Sequence, residues 1–150
     1  MISLERAELC HAEALAALHA SSFEKNWSAK TFSELLSNPS NVTLFARDGD
    51  TLLGFILVQI VEDELEIITI ATHPDAQRKG IATALLNHLK KAIPNLSKMF
   101  LEVDELNTRA IQFYEQIGFK RTGYRNNYYR HKDGTRSDAL LMALALADRA

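Results

Sequence analysis

One cysteine in 150 residues, Cys10, excludes an internal disulfide and fits a reducing compartment. An excess of either charge is also missing. The chain has 17 lysines and arginines against 19 aspartates and glutamates, and the net charge of −2 gives no footprint for nucleic acid or an anionic membrane. No apolar run approaches the roughly 18 residues of a membrane span. The start, Met1-Ile2-Ser3-Leu4-Glu5, lacks the basic-then-apolar order of a signal peptide. There is no internal repeat, low-complexity tract or Pro/Gly/Ser linker. His11, His19, His73, His88 and His131 show no metal-ligand spacing with carboxylates or Cys10, so no metal is expected. What remains is an ordinary globular mixture, 47% hydrophobic and 24% charged. It leads to the expectation of a single domain over 1–150, cytoplasmic, a monomer or small oligomer, with neither nucleic acid nor membrane as partner.

Hydrophobic spacing and turn signals order the elements. Ala14, Leu15, Leu18 and Ser22 fall at helical spacing within 11–22. Ser28 is placed to cap a helix running to about Leu36, which Asn38-Pro39 ends. Val42–Ala46 reads as a strand, and Asp48-Gly49-Asp50 turns it into a second strand, Leu52–Val61. Glu62-Asp63-Glu64 turns again into a strand ending near Thr72. The next helix follows Gly80 and stops before Pro94. Lys98–Val103 is a strand, and Asn107 caps a helix that ends at Gly118. Two strands, near Phe119–Tyr129 and Asp138–Leu146, flank a turn at Lys132-Asp133-Gly134. This pattern predicts an α+β layer fold with a mixed, mostly antiparallel sheet flanked by helices.

The segment Gln77-Arg78-Lys79-Gly80-Ile81-Ala82-Thr83 joins an apolar strand to a helix. The first N–H groups of a helix have no partner inside it, and the dipole there favours an anion, so this is a place to hold phosphate. Gly80 and Ala82 leave the backbone bare, while Arg78 and Lys79 add positive charge or are simply solvated. Neither G-x-x-x-x-G-K-[ST] nor G-x-G-x-x-G is present, which argues against nucleoside triphosphate and dinucleotide sites. The chain does contain Q/R-x-x-G-x-G/A at Gln77–Ala82, and N-x-x-A-x-x-x-Y-x-x-x-G-F from Asn107 to Phe119. In these segments, and in the order of its elements, it resembles the GNAT superfamily of N-acetyltransferases over nearly its whole length. The resemblance implies acetyl-CoA as acyl donor, with its pyrophosphate on the N–H groups of Arg78, Lys79, Gly80, Ile81, Ala82 and Thr83. It implies a pantetheine arm paired with the backbone of Ile70, Ala71 and Thr72, in a slot where that strand splays from the next.

Within the superfamily the chain is similar to RimI-type ribosomal-protein-alanine N-acetyltransferases. The similarity lies in Trp27–Phe32, Leu101-Glu102-Val103, Asn107–Phe119, Asn127-Tyr128-Tyr129 and Asp138–Leu144. It implies Glu102 as general base, Tyr114 as the acid that protonates the CoA sulfur, and Asn107 as a CoA contact. The residues themselves leave alternatives. Glu102 interrupts an apolar strand, with Met99, Leu101 and Val103 on the other face, so it either faces a cleft or sits in a salt bridge. Tyr114, beside Ala110, Ile111 and Ile117, also fits a core tyrosine with a satisfied hydroxyl. Asn107 is already explained as an N-cap. Trp27, Tyr128 and Tyr129 are candidate walls for a peptide N-terminus, or packing residues. Glu62-Asp63-Glu64 with Glu66 forms an acidic stretch that is either solvated or attractive to a basic peptide. Cys10 beside His11 reads as a structural thiol.

Three departures from the RimI pattern fall where a peptide would bind: Asp104-Glu105-Leu106, the longer loop Phe23-Glu24-Lys25-Asn26, and Arg130-His131-Lys132. An α-amine of pKa about 8 is roughly one-tenth neutral at pH 7, against less than about one in a thousand lysines. A single carboxylate base therefore suits an N-terminal amine, with a protein N-terminus, that of a ribosomal protein, as the expected acceptor. An acetyltransferase of a small amine (a polyamine or aminoglycoside) and a non-catalytic acyl-CoA-binding module are the other two functions this pattern admits.

Overall fold

The computed structural model describes residues 1–23 and 26–146. Glu24 and Lys25, part of the expected longer loop, lie outside them. Strand β1 (Ile2–Arg6) is followed by helices α1 (Ala12–Ala20) and α2 (Ala29–Ser37), then strands β2 (Asn41–Asp48), β3 (Thr51–Val61) and β4 (Glu64–Thr72). Helix α3 (Ile81–Ala92), strand β5 (Lys98–Asp104), helix α4 (Thr108–Gln116) and strands β6 (Lys120–Arg130) and β7 (Arg136–Ala145) complete the order. Among the described residues the strands form one sheet in the order β1-β2-β3-β4-β5-β7-β6. The pairing is antiparallel in β1–β2, β2–β3, β5–β7 and β6–β7 and parallel in β4–β5. This is the mixed, mostly antiparallel α+β fold expected. No helix among the described residues is long and apolar enough to cross a membrane.

The chain gathers into two compact units, Met1–Val61 with Ile68–Pro94, and Glu62–Ile67 with the chain from Asn95 onward. In the first, Phe55–Val58 of β3 are all buried, the mark of a strand covered on both faces. Phe55 and Leu57 join Leu15, Leu18, Phe32 and Phe45 in one core cluster with α1 and α2. Gly54, on the other face, meets Ile81 at the start of α3. Ser28 Oγ accepts from the Thr31 N–H at 3.1 Å and starts α2 as expected.

Two expectations need correction here. Ala14 and Ser22 are exposed, and the buried stripe of α1 is Ala12, Leu15, Leu18 and His19. Histidine takes the place of an aliphatic residue because aromatic rings sandwich it. Phe23 stacks on one side at 4.2 Å between centroids and Trp27 at 4.7 Å, with Phe32 edge-on. The second correction is β1, an edge strand absent from the sequence pattern. Only Ile2 and Leu4 alternate in it, and its order comes from pairing with β2.

His19 Nδ1 accepts from the Trp27 N–H at 3.3 Å, and burial lowers its imidazole from the ordinary 6.5 to about 4. The unfolded chain takes up this proton below about 6.5 and the folded one only near 4. The contribution to stability is therefore complete above about 6.5 and is lost as pH falls towards 4. At pH 5 the loss is about 2 kcal/mol. Thermal unfolding between pH 7 and 5 should show a falling midpoint in the wild type and a flatter one in His19→Phe. Equal slopes would contradict the account.

In the second unit β5 is hydrogen-bonded on both sides, to Glu64–Ile67 of β4 and to β7. Met99, Leu101 and Val103 are buried on one face, leaving Phe100, Glu102 and Asp104 partly exposed on the other, as alternation requires. Asn107 Oδ1 accepts from the Ala110 N–H at 3.2 Å and caps α4, whose buried residues are Ile111 and Tyr114.

Candidate active site

In the first unit, a register shift in the β2–β3 ladder prepares the loop after β4. Ala46 pairs with Gly54 and Arg47 with Leu52, so Leu53 bulges. The Leu53 carbonyl accepts from the His73 N–H at 2.7 Å and ties down the end of β4. His73 Nδ1 accepts from the Asp75 N–H at 3.1 Å and caps a short 3-10 turn, Pro74–Ala76. His73 thus shapes the loop. Arg78 takes φ 66° and Gly80 φ 76°, two left-handed residues around Lys79. A Cβ on Gly80 would meet nothing within 4 Å, so its conformation rather than lack of space calls for glycine. Arg78 has no such excuse, and strain of this kind clusters at ligand sites. Among the described residues, the backbone amides of 78–83 donate no hydrogen bond, and the helix proper begins with Ala84 N–H to the Gly80 carbonyl at 2.9 Å. Arg78 and Lys79 are exposed. At the end of β4, Ala71 is buried and Ile70 and Thr72 are partly so.

The second unit carries the ionisable groups. The parallel ladder of β4 with β5 stops at Ile67 and Leu101. Glu102 is therefore the first β5 residue beyond it, and its side chain is 20% exposed. Glu102 Oε1 lies 2.9 Å from Arg125 Nη2, so the salt bridge entertained for this residue exists. Arg125 also sits over the Tyr128 ring, 5.3 Å from its centroid. Tyr128 and Tyr129 meet edge to face at 5.1 Å. Burial, then the charges of Glu102, Tyr128 and Asp104, push the Tyr129 phenol up to about 12, partly offset by Arg125. Glu102, Arg125, Tyr128 and Tyr129 thus form one cluster, of which sequence reasoning missed Arg125. Glu66, read from the sequence as part of an acidic stretch, belongs beside this cluster: burial and the Glu102 charge raise its carboxyl, with Arg125 opposing.

A wide bulge aims the tyrosines. Arg125 pairs with Ala139 and Tyr129 with Ser137, so three residues of β6 stand against Asp138 alone. Asn127 takes φ 53°, and its N–H donates to Asp138 Oδ1 at 2.8 Å. The signal for the bulge in the sequence is the Asn126-Asn127 pair, since Asn tolerates left-handed backbone. Two departures from the RimI pattern also touch. Ser137 Oγ, buried, donates to Asp104 Oδ1 at 2.7 Å and accepts from His131 Nε2 at 2.8 Å, with Asp104 Oδ2 3.4 Å from that nitrogen.

Tyr114 is 4% exposed, and burial pushes its phenol well above the ordinary tyrosine range. Its ring touches Phe113 and Phe119. Its hydroxyl has no hydrogen-bond partner among the described residues, unlike the satisfied core tyrosine that was the alternative. Trp27 stacks on His19 and packs against the core of the first unit, so packing accounts for it. Cys10 is exposed, and its Sγ lies 3.8 Å from His11 Nδ1, the nitrogen that accepts from the Glu8 N–H at 2.8 Å and is thereby engaged in the turn. Among the described residues no three His, Cys, Asp or Glu side chains could hold a metal ion. A cavity of about 580 Å³ beside α4 and β6, lined by Glu105, Glu115, Arg121 and Tyr124, contains neither Glu102 nor Tyr114.

Residues 12–119 match the acetyltransferase (GNAT) family. The chain is 37% identical over 123 residues to the [ribosomal protein bS18]-alanine N-acetyltransferase of Escherichia coli K12, covering 81% of this chain and 82% of that one. The crystal structure of the ribosomal-protein-S18-alanine N-acetyltransferase from Escherichia coli superposes with a TM-score of 0.89 at 32% identity, over 97% of this chain and 94% of that one. Arabidopsis thaliana NAA60 in complex with acetyl-CoA, at 21% identity and a TM-score of 0.82 over 97% and 99% of the chains, shares the fold.

Proposed function

Because the chain belongs to the acetyltransferase (GNAT) family, we propose that it transfers acetyl from acetyl-CoA to the α-amine of a protein N-terminus, that of a ribosomal protein. The observation that carries this reading is the row of amides at 78–83, partnerless among the described residues, that leads into and through the first turn of α3. The first amides of a helix have no acceptor inside it, and a pyrophosphate supplies acceptor oxygens to several at once. The backbone of Ile70, Ala71 and Thr72 takes the pantetheine arm, and Asn107 adds a CoA contact. The likeness to bS18 alanine N-acetyltransferases supports the acceptor, and a ribosomal acceptor implies a cytoplasmic enzyme.

The reaction converts an ammonium ion and a thioester into an amide, a thiol and a released proton. Glu102 takes the proton from the amine, which then attacks the thioester carbon directly in a ternary complex. Arg125 orients the Glu102 carboxylate through their ion pair. Tyr114 protonates the departing sulfur and is reprotonated by the second proton that the nitrogen sheds as the amide forms. Burial keeps its phenol protonated at any working pH, and among the described residues no partner uses its hydroxyl. Tyr128 and Tyr129 flank the peptide. The test is turnover of acetyl-CoA with an Ala-starting basic peptide against a panel of polyamines and aminoglycosides. The peptide is expected to be the better acceptor; turnover of an amine and of no peptide would reject the protein acceptor.

A further inference from the structure

Glu66 is a carboxylate of this face that the mechanism has not used. It lies opposite Phe100 in the parallel ladder, two residues before Glu102 on the neighbouring strand, and alternation puts Glu66, Phe100 and Glu102 on one face. Diagonal neighbours of this kind lie within reach of long side chains. Glu64 and Lys98, opposite each other in the same ladder, share this face and are exposed, and Lys98 Nζ lies over the Phe100 ring, 5.3 Å from its centroid. Glu102 is paired with Arg125. Asp104 holds Ser137, His131 and the Leu106 N–H. Glu66 is partly buried, yet it makes no hydrogen bond or ion pair among the described residues. With Lys98 counted beside Arg125, and Asp104 left with its own partners, the face still carries three negative charges, Glu64, Glu66 and Glu102, against two positive. Leaving a partly buried carboxylate unmatched costs stability, and a cation would remove that cost.

We propose that Glu66 is a specificity-determining residue that captures the acceptor amine as its ammonium ion, balancing the charge of the Glu66–Glu102–Arg125 cluster before Glu102 takes the proton. This rests on the acetyl-transfer reading above. It has a physical motive: at pH 7 about nine-tenths of an α-amine of pKa near 8 is charged. An enzyme that binds only the neutral form forfeits most of its substrate, whereas one that binds the ammonium uses all of it. The raised carboxyl of Glu66 fits the same picture, since an anion is held there against burial and a neighbouring charge. At neutral pH that arrangement costs folding stability, because a group whose folded value is raised stabilises only below its unfolded value.

The test is steady-state kinetics of wild type and Glu66→Gln between pH 6.5 and 9, with the Ala-starting peptide or whichever small amine the wild type accepts. Glu66→Gln should raise KM for the amine about tenfold at pH 7, with kcat within about twofold. The difference should shrink towards pH 9 as the neutral amine dominates. Thermal unfolding of Glu66→Gln should be unchanged or raised, since the substitution removes an unmatched charge. A KM ratio near one at every pH, a loss confined to kcat, or a lowered melting temperature with KM unchanged would overturn the proposal while leaving acetyl transfer intact. A wild type that acetylates no amine at all would overturn the acetyl-transfer reading and this proposal with it.

Discussion

Glu102→Gln is expected to lower kcat by about 100-fold or more at pH 7, with acetyl-CoA binding unchanged, if Glu102 is the base, as proposed. General-base catalysis contributes about 10²–10⁴ in rate, and the amide cannot accept the proton. The size of the loss depends on pH in a way that a structural defect would not reproduce. As pH rises past about 8, more of the α-amine arrives already neutral and the missing base matters less. The ratio of wild-type to variant kcat should therefore fall steadily from pH 7 to 9. The substitution also frees Arg125, but that side chain is 55% exposed and its pairing contributes little to folding. Normal melting with a depressed, pH-dependent kcat is the expected pattern. A kcat within threefold of wild type at pH 7 would remove Glu102 from the chemistry.

Gly54→Ala should loosen the proposed phosphate loop from a distance. A Cβ on Gly54 would stand 2.8 Å from Ile81 Cγ2 and 3.0 Å from the Ala71 carbonyl oxygen. Cγ2 of a β-branched residue sits too near its own backbone to swing aside, and the other obstacle is backbone. Overpacking of this kind costs about 1–3 kcal/mol. It acts on the first residue of α3, whose amides belong to the proposed pyrophosphate cradle, and on the strand proposed to meet pantetheine. Gly54→Ala should therefore lower the melting temperature and weaken acetyl-CoA binding about tenfold by calorimetry. Ile81→Ala removes the clashing methyl, so the double variant should recover part of both losses, a coupling that a cycle of the four proteins measures. Additive effects would mean that the two residues do not press on each other.

Gly54 and Glu102 mark the range of what the sequence could show. Features set by local chemistry were legible. Ser28 and Asn107 cap their helices because a side-chain oxygen three residues ahead of a free N–H needs no tertiary information. The alternation of β5 was legible because Met99, Leu101 and Val103 are apolar without exception. The loop at 77–83 and the run from Asn107 to Phe119 led to the family. Features set by other strands were not legible. The Leu53 bulge and the role of Gly54 arise from the register of β3 against β2 and from α3 above them. The Glu102–Arg125 pair joins residues 23 positions apart through β7, which lies between their strands. Glu66 read as part of an acidic stretch, solvated or attractive to a basic peptide, because nothing in its own strand places it beside Glu102. Ala14 and Ser22 fitted the helical spacing of α1 as well as His19 did. Only the ring sandwich distinguishes them.

The most direct measurement is to locate the acetyl group. The enzyme is incubated with labelled acetyl-CoA and a peptide that begins with Ala and carries lysines further along, and the product is fragmented in a mass spectrometer. A single label on the N-terminal fragment, with every lysine unmodified and with Glu102→Gln giving little product at pH 7, is the predicted result. Label on lysine side chains, or no label on any peptide beside rapid acetylation of a small amine, would contradict transfer to a protein N-terminus.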